Sequence, residues 1–350
     1  MSWFVSLLVL CALIFFHELG HYIAARLMGV YVEVFSIGFG KRLATFKKFN
    51  TEWSISIIPL GGYVKMKGQD DGDPTKKSYD SDSYNVKTPL QKIFILVAGP
   101  LANFVLAFML YFVIALGSPN VLSPVIGNVT KGSPAQMAGI QKNDTVLAIN
   151  GKEIKTWSDM ADIIASADSE LKLKIKRDGF VEYKIITPKI TQSKNIYGDI
   201  VYKKMIGIGS AGVFHKMELT PSNLFGYATK QTIFASSMIF TGLKKLVFGE
   251  VPAKELGGVI SIVKLTSDAT AAGWMSVLFF AALISVNLGV LNLLPIPALD
   301  GGHIMFNLYE LVFKKEASEA VVVKLTIAGW VLLFGLMGLG IFNDINRLMG

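Results

Sequence analysis

Residues Ile14-Phe-Phe-His-Glu-Leu-Gly-His-Tyr22 close an apolar run in which positions 3–16 carry no charged side chain. On a helix, side chains four positions apart lie on one face, so His17 and His21 can direct two imidazoles at one metal ion. Glu18 then projects beside that ion. In zinc peptidases with this pattern, the glutamate accepts the proton of a metal-activated water. The pattern therefore predicts a zinc peptidase whose catalytic base is Glu18.

The composition is that of a membrane protein, because 52% of the residues are hydrophobic and only 17% are charged. Uncharged runs at 93–116, 274–294 and 325–342 are long enough to cross a hydrocarbon core of roughly 30 Å. With the first helix, we expect four transmembrane spans. The N-terminal run has no basic n-region, so we interpret it as a permanent span and not as a signal peptide.

The net charge of +8 comes from dispersed lysines and arginines, and no run of five basic residues suggests a nucleic-acid partner. Residues 26–92 hold 11 basic and 7 acidic side chains, and three lysines follow the third span. The positive-inside bias therefore predicts that both segments are cytoplasmic. Both chain termini and the long segment 117–273 are then expected on the outer side.

Residues 31–67 alternate between apolar and polar side chains around several glycines, which predicts β-hairpins. An apolar sheet at this place could dip into the membrane, and its edge could pair with an extended substrate. A small cytosolic β subdomain is the alternative interpretation. The acidic residues 69–83 are predicted to form a mobile linker.

The third span ends in Asn292-Leu-Leu-Pro-Ile-Pro-Ala-Leu-Asp-Gly-Gly-His303, where two prolines interrupt the helix. A zinc site with two histidines needs a third protein ligand and an open position. Asp300 is the candidate ligand, since it lies at the same membrane side as the histidines; a helix-ending Asp-Gly turn is the alternative. Asn292 and His303 are candidates for orienting the substrate carbonyl or the ligands.

The second span contains Gly99-Pro100 and Asn103, which must face protein because lipid offers them no polar partner. Two roles are open for Asn103. It either hydrogen-bonds near the metal site or packs against a neighbouring helix.

Residues 123–188 predict a small α+β domain with a helix at 158–167 and a hairpin that turns at Asp178-Gly179. After it, a helix is expected to begin with Thr220 as N-cap and Pro221 at its first position. This helix has an apolar stripe. It is predicted either to lie on the outer membrane surface or to pack under the outer domain.

In five segments the chain resembles the bacterial site-2 proteases of the regulator-of-sigma-E (RseP) type. The segments are 17–26, 35–40, 59–65, 99–103 and 292–303. The outer domain resembles a PDZ module at 132–140, 143–144 and 149–157. Well-known members carry two PDZ modules whereas this chain has room for one, so the resemblance does not extend to a size filter built on a tandem pair.

The resemblance implies a polytopic α-helical membrane protein of the bacterial inner membrane. It has four transmembrane helices, a membrane-associated β-hairpin element and one extracytoplasmic, periplasmic α+β PDZ domain, whose ligand the sequence does not identify. The expected segments are a first span at 1–28, a membrane-reentrant β region and linker at 29–92, a second span at 93–117, the PDZ domain at 121–190, an amphipathic-helix region at 191–273, a third span with its Asp-Gly motif at 274–302, a cytoplasmic loop at 303–324 and a fourth span at 325–343.

The activity that the resemblance implies is zinc-dependent cleavage within the transmembrane segments of single-pass proteins, such as anti-sigma-factor-like regulators and remnant signal peptides. By the same carry-over, His17, His21 and Asp300 bind Zn²⁺, Glu18 is the catalytic base and Asn292 assists near the substrate. Asn103 and His303 are supporting residues. The expected substrate-binding residues are Gly38, Phe39, Gly40, Gly61, Gly62 and Tyr63.

Overall fold

The computed structural model of the protein describes residues 2–69, 78–195 and 199–349; most of the predicted linker at 69–83 lies outside them. The helices, in chain order, are α1 (Ser2–Leu27), α2 (Pro89–Leu116), α3 (Pro134–Met137), α4 (Trp157–Ser166), α5 (Pro221–Val247), α6 (Val259–Ala272), α7 (Trp274–Asn292), α8 (Asp300–Phe313) and α9 (Glu319–Met349).

Among these described helices, α1, α2, α7 and α9 are long and apolar enough to cross a membrane. The four predicted spans are therefore confirmed as helices of sufficient length. Helix α2 begins at Pro89, four residues before the predicted start. A capping box explains the earlier start, because the Thr88 amide donates to Gln91 Oε1 over 2.9 Å and Thr88 Oγ1 accepts from the Gln91 amide over 3.4 Å.

The strands, in chain order, are β1 (Val32–Lys48), β2 (Thr51–Met66), β3 (Asn120–Leu122), β4 (Ile126–Val129), β5 (Thr145–Ile149), β6 (Lys152–Glu153), β7 (Leu171–Arg177), β8 (Phe180–Ile186), β9 (Lys189–Lys194), β10 (Ile200–Met205), β11 (Ile208–Ser210) and β12 (Phe214–Lys216). Strands β1 and β2 form the predicted hairpin, which is thereby confirmed. Its turn residues Phe49 and Asn50 both have positive φ, as tight hairpin turns require.

The hairpin folds back on itself, so the first half of β1 has neighbours on both sides. Phe35 lies opposite Val64 and also opposite Trp53 in β2. Phe35 stacks on Trp53 with ring centroids 4.4 Å apart, and Tyr22 of α1 meets Trp53 edge-on at 5.1 Å. Burial of these aromatic rings fixes the sheet against the helix that carries the His-Glu-x-x-His motif.

The chain divides into two compact units, Ala115–Ser222 and the remainder. In the first of these, β6, β5, β7 and β8 form an antiparallel sheet whose buried face packs on α4. The turns Asn150-Gly151 and Asp178-Gly179 have positive φ at both residues, as their sequences predict. The predicted α+β character of this unit is therefore confirmed.

The segment 191–273 differs from the single amphipathic-helix region that we expected. Strands β11 and β12 pair with β4 and β3, so these residues complete the unit Ala115–Ser222. Helix α5 starts at Pro221 as predicted and belongs to the other unit. It packs in one cluster with α2 and α7, because Ala228 and Ala235 leave room for close approach. The sequence predicts neither this packing nor helix α6, and the two expected positions of α5 stay predictions.

The segment 303–324 is not the loop that we expected. Helix α8 begins at Asp300 itself and continues to Phe313, and α9 begins at Glu319. The two glycines after Asp300 do not end a helix here. A Cβ at Gly301 would lie 2.6 Å from the Leu293 carbonyl, so glycine allows the first turn of α8 to pack on the chain that follows α7. The asparagine Asn307 and both glycines form the buried side of α8.

Candidate metal centre

Three side chains meet where α1 passes the start of α8. His17 Nε2 and His21 Nε2 are 3.3 Å apart, and Asp300 Oδ2 lies 3.3 Å from the first and 3.4 Å from the second. All three donor atoms lie within 4.8 Å of one another. The sequence placed the two histidines together by helical periodicity, whereas Asp300 joins them through the fold.

The donor set fits a zinc ion. Two imidazole nitrogens and one carboxylate oxygen are the ligand set that catalytic zinc sites use, with one position left for water or substrate. Asp300 Oδ2 is buried and, in the part of the chain that the structure describes, no donor satisfies it with a well-formed hydrogen bond. A buried carboxylate oxygen in this situation is costly unless a cation compensates it.

His21 is oriented by the backbone of α2. Its Nδ1 lies 2.8 Å from the Ile95 carbonyl oxygen, which can only accept, so Nδ1 carries the proton and donates. This hydrogen bond selects the tautomer whose Nε2 lone pair points at the other ligands. No sequence pattern predicts this hydrogen bond, because every residue carries a backbone carbonyl.

His17 is oriented by the side chain of Asn103, which also belongs to α2. Asn103 is fully buried, and its Nδ2 lies 3.1 Å from His17 Nδ1, while its Oδ1 has no hydrogen-bond partner among the described residues. An imidazole that binds metal through Nε2 carries its proton on Nδ1, so we assign the amide of Asn103 in the orientation turned by 180°, in which Oδ1 accepts from Nδ1–H. Of the two roles left open for Asn103, the geometry supports hydrogen bonding at the site.

Two glycines let α1 and α2 approach closely at the centre. A Cβ at Gly20 would lie 2.8 Å from the Ala102 Cβ. A Cβ at Gly99 would overlap His21 Nε2 and lie 2.5 Å from its Cε1. Glycine at these positions is therefore needed for the imidazole to lie between the helices. The Gly99-Pro100 dipeptide indicated a helix facing protein, but not this contact.

Glu18 lies at the junction between α1 and the β1–β2 hairpin. The residue is 9% exposed. A Cβ at Gly62 would lie 2.9 Å from Glu18 Cγ and 2.9 Å from Ile14 Cγ2, so the hairpin backbone touches the glutamate here. The candidate base thus lies between the metal-binding helix and a sheet strand.

The remaining expected substrate-binding residues lie on the same hairpin. Phe39 and Tyr63 stack with their ring centroids 6.2 Å apart. Gly61 has φ 130°, and a Cβ there would overlap the Phe39 ring. Gly38 and Gly40 also have positive φ. The structure brings these six residues together on one element, and their role in binding substrate stays a prediction.

Asn292 and His303 lie on either side of Asp300 and outside the three-residue cluster. Asn292 is the last residue of α7. His303 lies one turn into α8, where its carbonyl accepts from Asn307 Nδ2 over 2.7 Å and its ring contacts Phe306. Their proposed contacts with substrate or ligands stay predictions.

Comparison with known proteins gives one consistent result. The model of peptidase family M50 matches residues 5–336. A protein of Campylobacter jejuni with the provisional name zinc metalloprotease is 46% identical over 345 residues, which cover 99% of this chain and 93% of the relative. A protein of Helicobacter pylori with the same provisional name is 41% identical, with 99% of both chains covered. Metalloprotease MmpA of Caulobacter vibrioides is 33% identical over 98% of this chain and 95% of its own length.

Proposed function

Because the chain belongs to peptidase family M50, the site-2 protease family, and is a multi-pass zinc metalloprotease, we propose that it hydrolyses peptide bonds within transmembrane segments of single-pass proteins. The observation that carries the proposal is the meeting of His17 and His21 with Asp300. Both histidines belong to a membrane-spanning helix, so the scissile bond has to reach a site inside the membrane protein.

We assign the three zinc ligands to His17, His21 and Asp300. Zinc held by three protein ligands lowers the pKa of water at its open position to about 7 and polarises a carbonyl. Asn103 and the Ile95 carbonyl hold the two imidazoles in the tautomer that binds metal. Pre-set ligands of this kind reduce the reorganisation that metal binding and catalysis require.

Glu18 acts in this proposal as the general base and later as the acid that protonates the leaving amine. Glu18 directly follows His17 on α1 and lies against Gly62 of the hairpin, and both features support the assignment. A carboxylate enclosed by protein keeps the proton within the site between the two steps. Asn292 and His303 are proposed to assist with the substrate carbonyl and with ligand orientation.

The substrate strand is proposed to lie against the β1–β2 hairpin. A transmembrane helix hides its carbonyls in internal hydrogen bonds, so it has to unwind before a peptide bond can be attacked. Pairing with a sheet edge supplies the lost backbone hydrogen bonds. The contact between Gly62 and Glu18 supports this, because a strand paired near Gly62 comes close to the base.

We further propose that the protein lies in the bacterial inner membrane with its active site near the cytoplasmic side and unit Ala115–Ser222 in the periplasm as a PDZ domain. The distribution of basic residues supports this orientation. Anti-sigma-factor-like regulators and remnant signal peptides are the proposed substrates. The PDZ domain is proposed to hinder access by intact, bulky substrates, so its deletion should release their cleavage.

The test uses the purified full-length protein and a single-pass substrate with a fluorescent reporter on each side of the membrane. Wild type is expected to cleave within the transmembrane segment, as mass spectrometry of the products would show. Glu18→Gln should lose at least about 100-fold in kcat while keeping its zinc. If Glu18→Gln cleaves at the wild-type rate, the assigned base is wrong. A chain that only binds protein tails through its outer domain would tolerate this change.

A further inference from the structure

Helix α8 carries Asp300 but is held by few packing contacts. Gly301, Gly302 and Asn307 are its buried residues within the described chain, and most of its apolar side chains are exposed. Its first turn has no side-chain N-cap hydrogen bond. A short helix packed so lightly does not by itself fix the position of its first residue, so further contacts have to do this.

One such contact is an ion pair between Lys92 of α2 and Glu310 of α8. The Nζ–Oε2 distance is 3.3 Å, and the Lys92 side chain is only 9% exposed. Lysine is seldom buried to this degree without a partner. The dipoles of the two helices do not explain these charges, because Lys92 lies in the first turn of α2 and Glu310 in the last turn of α8. The attraction between the Lys92 ammonium and the Glu310 carboxylate explains why both charges are at these positions.

Helix α2, which carries Lys92, also orients both histidines. The Ile95 carbonyl and the Asn103 side chain, which hold His21 and His17, are on α2. Lys92 lies about 4.5 Å along the helix axis from Ile95, at the 1.5 Å rise of an α-helix. Helix α2 therefore holds the two histidines directly, and through Lys92 it holds the helix that supplies the third donor.

We propose that the Lys92–Glu310 ion pair is a positioning pair of the metal centre. It holds α8 against α2, so that Asp300 remains at ligand distance from His17 and His21. The two residues contribute no ligand atom and act through α8. This inference rests on the proposed function, because it takes the three clustered side chains as the zinc ligands.

The test compares zinc affinity in full-length Lys92→Met, Glu310→Gln and the charge-swapped Lys92→Glu/Glu310→Lys protein. Affinity is measured by competition with a chelator, and the visible spectrum of the cobalt-loaded protein reports ligand geometry. Lys315→Met is the matched control, since it removes an exposed lysine just beyond α8. Thermal unfolding of each metal-free protein is measured alongside.

Each single variant should bind zinc about tenfold more weakly, within the range that supporting contacts of metal ligands reach. The swapped protein should regain most of the affinity and the wild-type cobalt spectrum, and the control should keep both. Wild-type affinity in the single variants would overturn the inference alone. The inference would also be overturned if the single variants bind zinc weakly, unfold at a lower temperature and are not rescued by the swap. The pair would then stabilise the fold in general and not the metal centre in particular. A wild type without zinc would instead refute the proposed function, and the inference with it.

Discussion

Replacement of Gly99 by alanine should expel the metal while leaving the helix intact. The added Cβ would overlap His21 Nε2 and lie 2.5 Å from Cε1 and 2.7 Å from Cδ2. Ordinary contact between carbon atoms begins near 3.5 Å, so the imidazole has to retreat by about 1 Å. Metal-ligand distances tolerate errors of only about 0.2 Å, so a shift of this size removes one ligand.

His21 cannot retreat freely, because its Nδ1–H bond to the Ile95 carbonyl joins it to the same helix. Alanine also favours a helix over glycine by about 1 kcal/mol, so local helix stability should not fall. We therefore expect zinc binding to weaken at least about 100-fold and cleavage to be lost, with the far-UV circular dichroism spectrum unchanged.

The assay is zinc content after dialysis against a graded series of chelator concentrations, together with cleavage of the fluorescent substrate. Gly335→Ala in α9 is the matched control, because a Cβ there meets no atom within 4 Å. It should keep wild-type zinc and activity. The steric reasoning is refuted if Gly99→Ala retains zinc as tightly as Gly335→Ala does.

Three further changes test other parts of the site and fold. Asn103→Leu should weaken zinc binding about 10- to 100-fold in chelator competition. Asn103→Asp keeps an acceptor oxygen and should bind zinc well. Equal zinc affinities of these two variants would contradict the role given to Asn103. Gly62→Ala places a Cβ 2.9 Å from Glu18 Cγ and should lower kcat about 100-fold with zinc content unchanged; a normal kcat would show that Glu18 is not displaced. Asp144→Asn breaks the buried pair with Arg177 and should destabilise the unit Ala115–Ser222 by about 3 kcal/mol, seen as faster hydrogen exchange in this unit than in wild type; unchanged exchange would contradict this.

The part of the site that lies on one helix could be predicted from the sequence. His17 and His21 are four residues apart, and periodicity alone puts them on one face. Asp300 required a further argument, namely that two histidines leave a zinc site one ligand short. The turn interpretation of Asp300-Gly301 competed with it, and the structure instead has Asp300 as the first residue of α8.

Contacts between distant segments could not be predicted, because they leave no local pattern. The Ile95 carbonyl that orients His21 is a backbone group, and the Lys92–Glu310 pair joins residues 218 positions apart. The sequence predicts a loop where α8 lies, because two consecutive glycines are typical of a turn and their packing on Leu293 leaves no local pattern. Strands β11 and β12 are only three residues long, and their pairing depends on β4 and β3 far earlier in the chain.

Metal analysis of the purified full-length protein tests the central claim most directly. Wild type and Glu18→Gln should each hold one zinc ion per chain, and Asp300→Ala should lose it at a chelator concentration that leaves the other two loaded. Asp300 is the informative residue, because its contact with His17 and His21 comes from the fold and not from the motif. Zinc retained by Asp300→Ala with wild-type affinity would contradict the account of the metal centre.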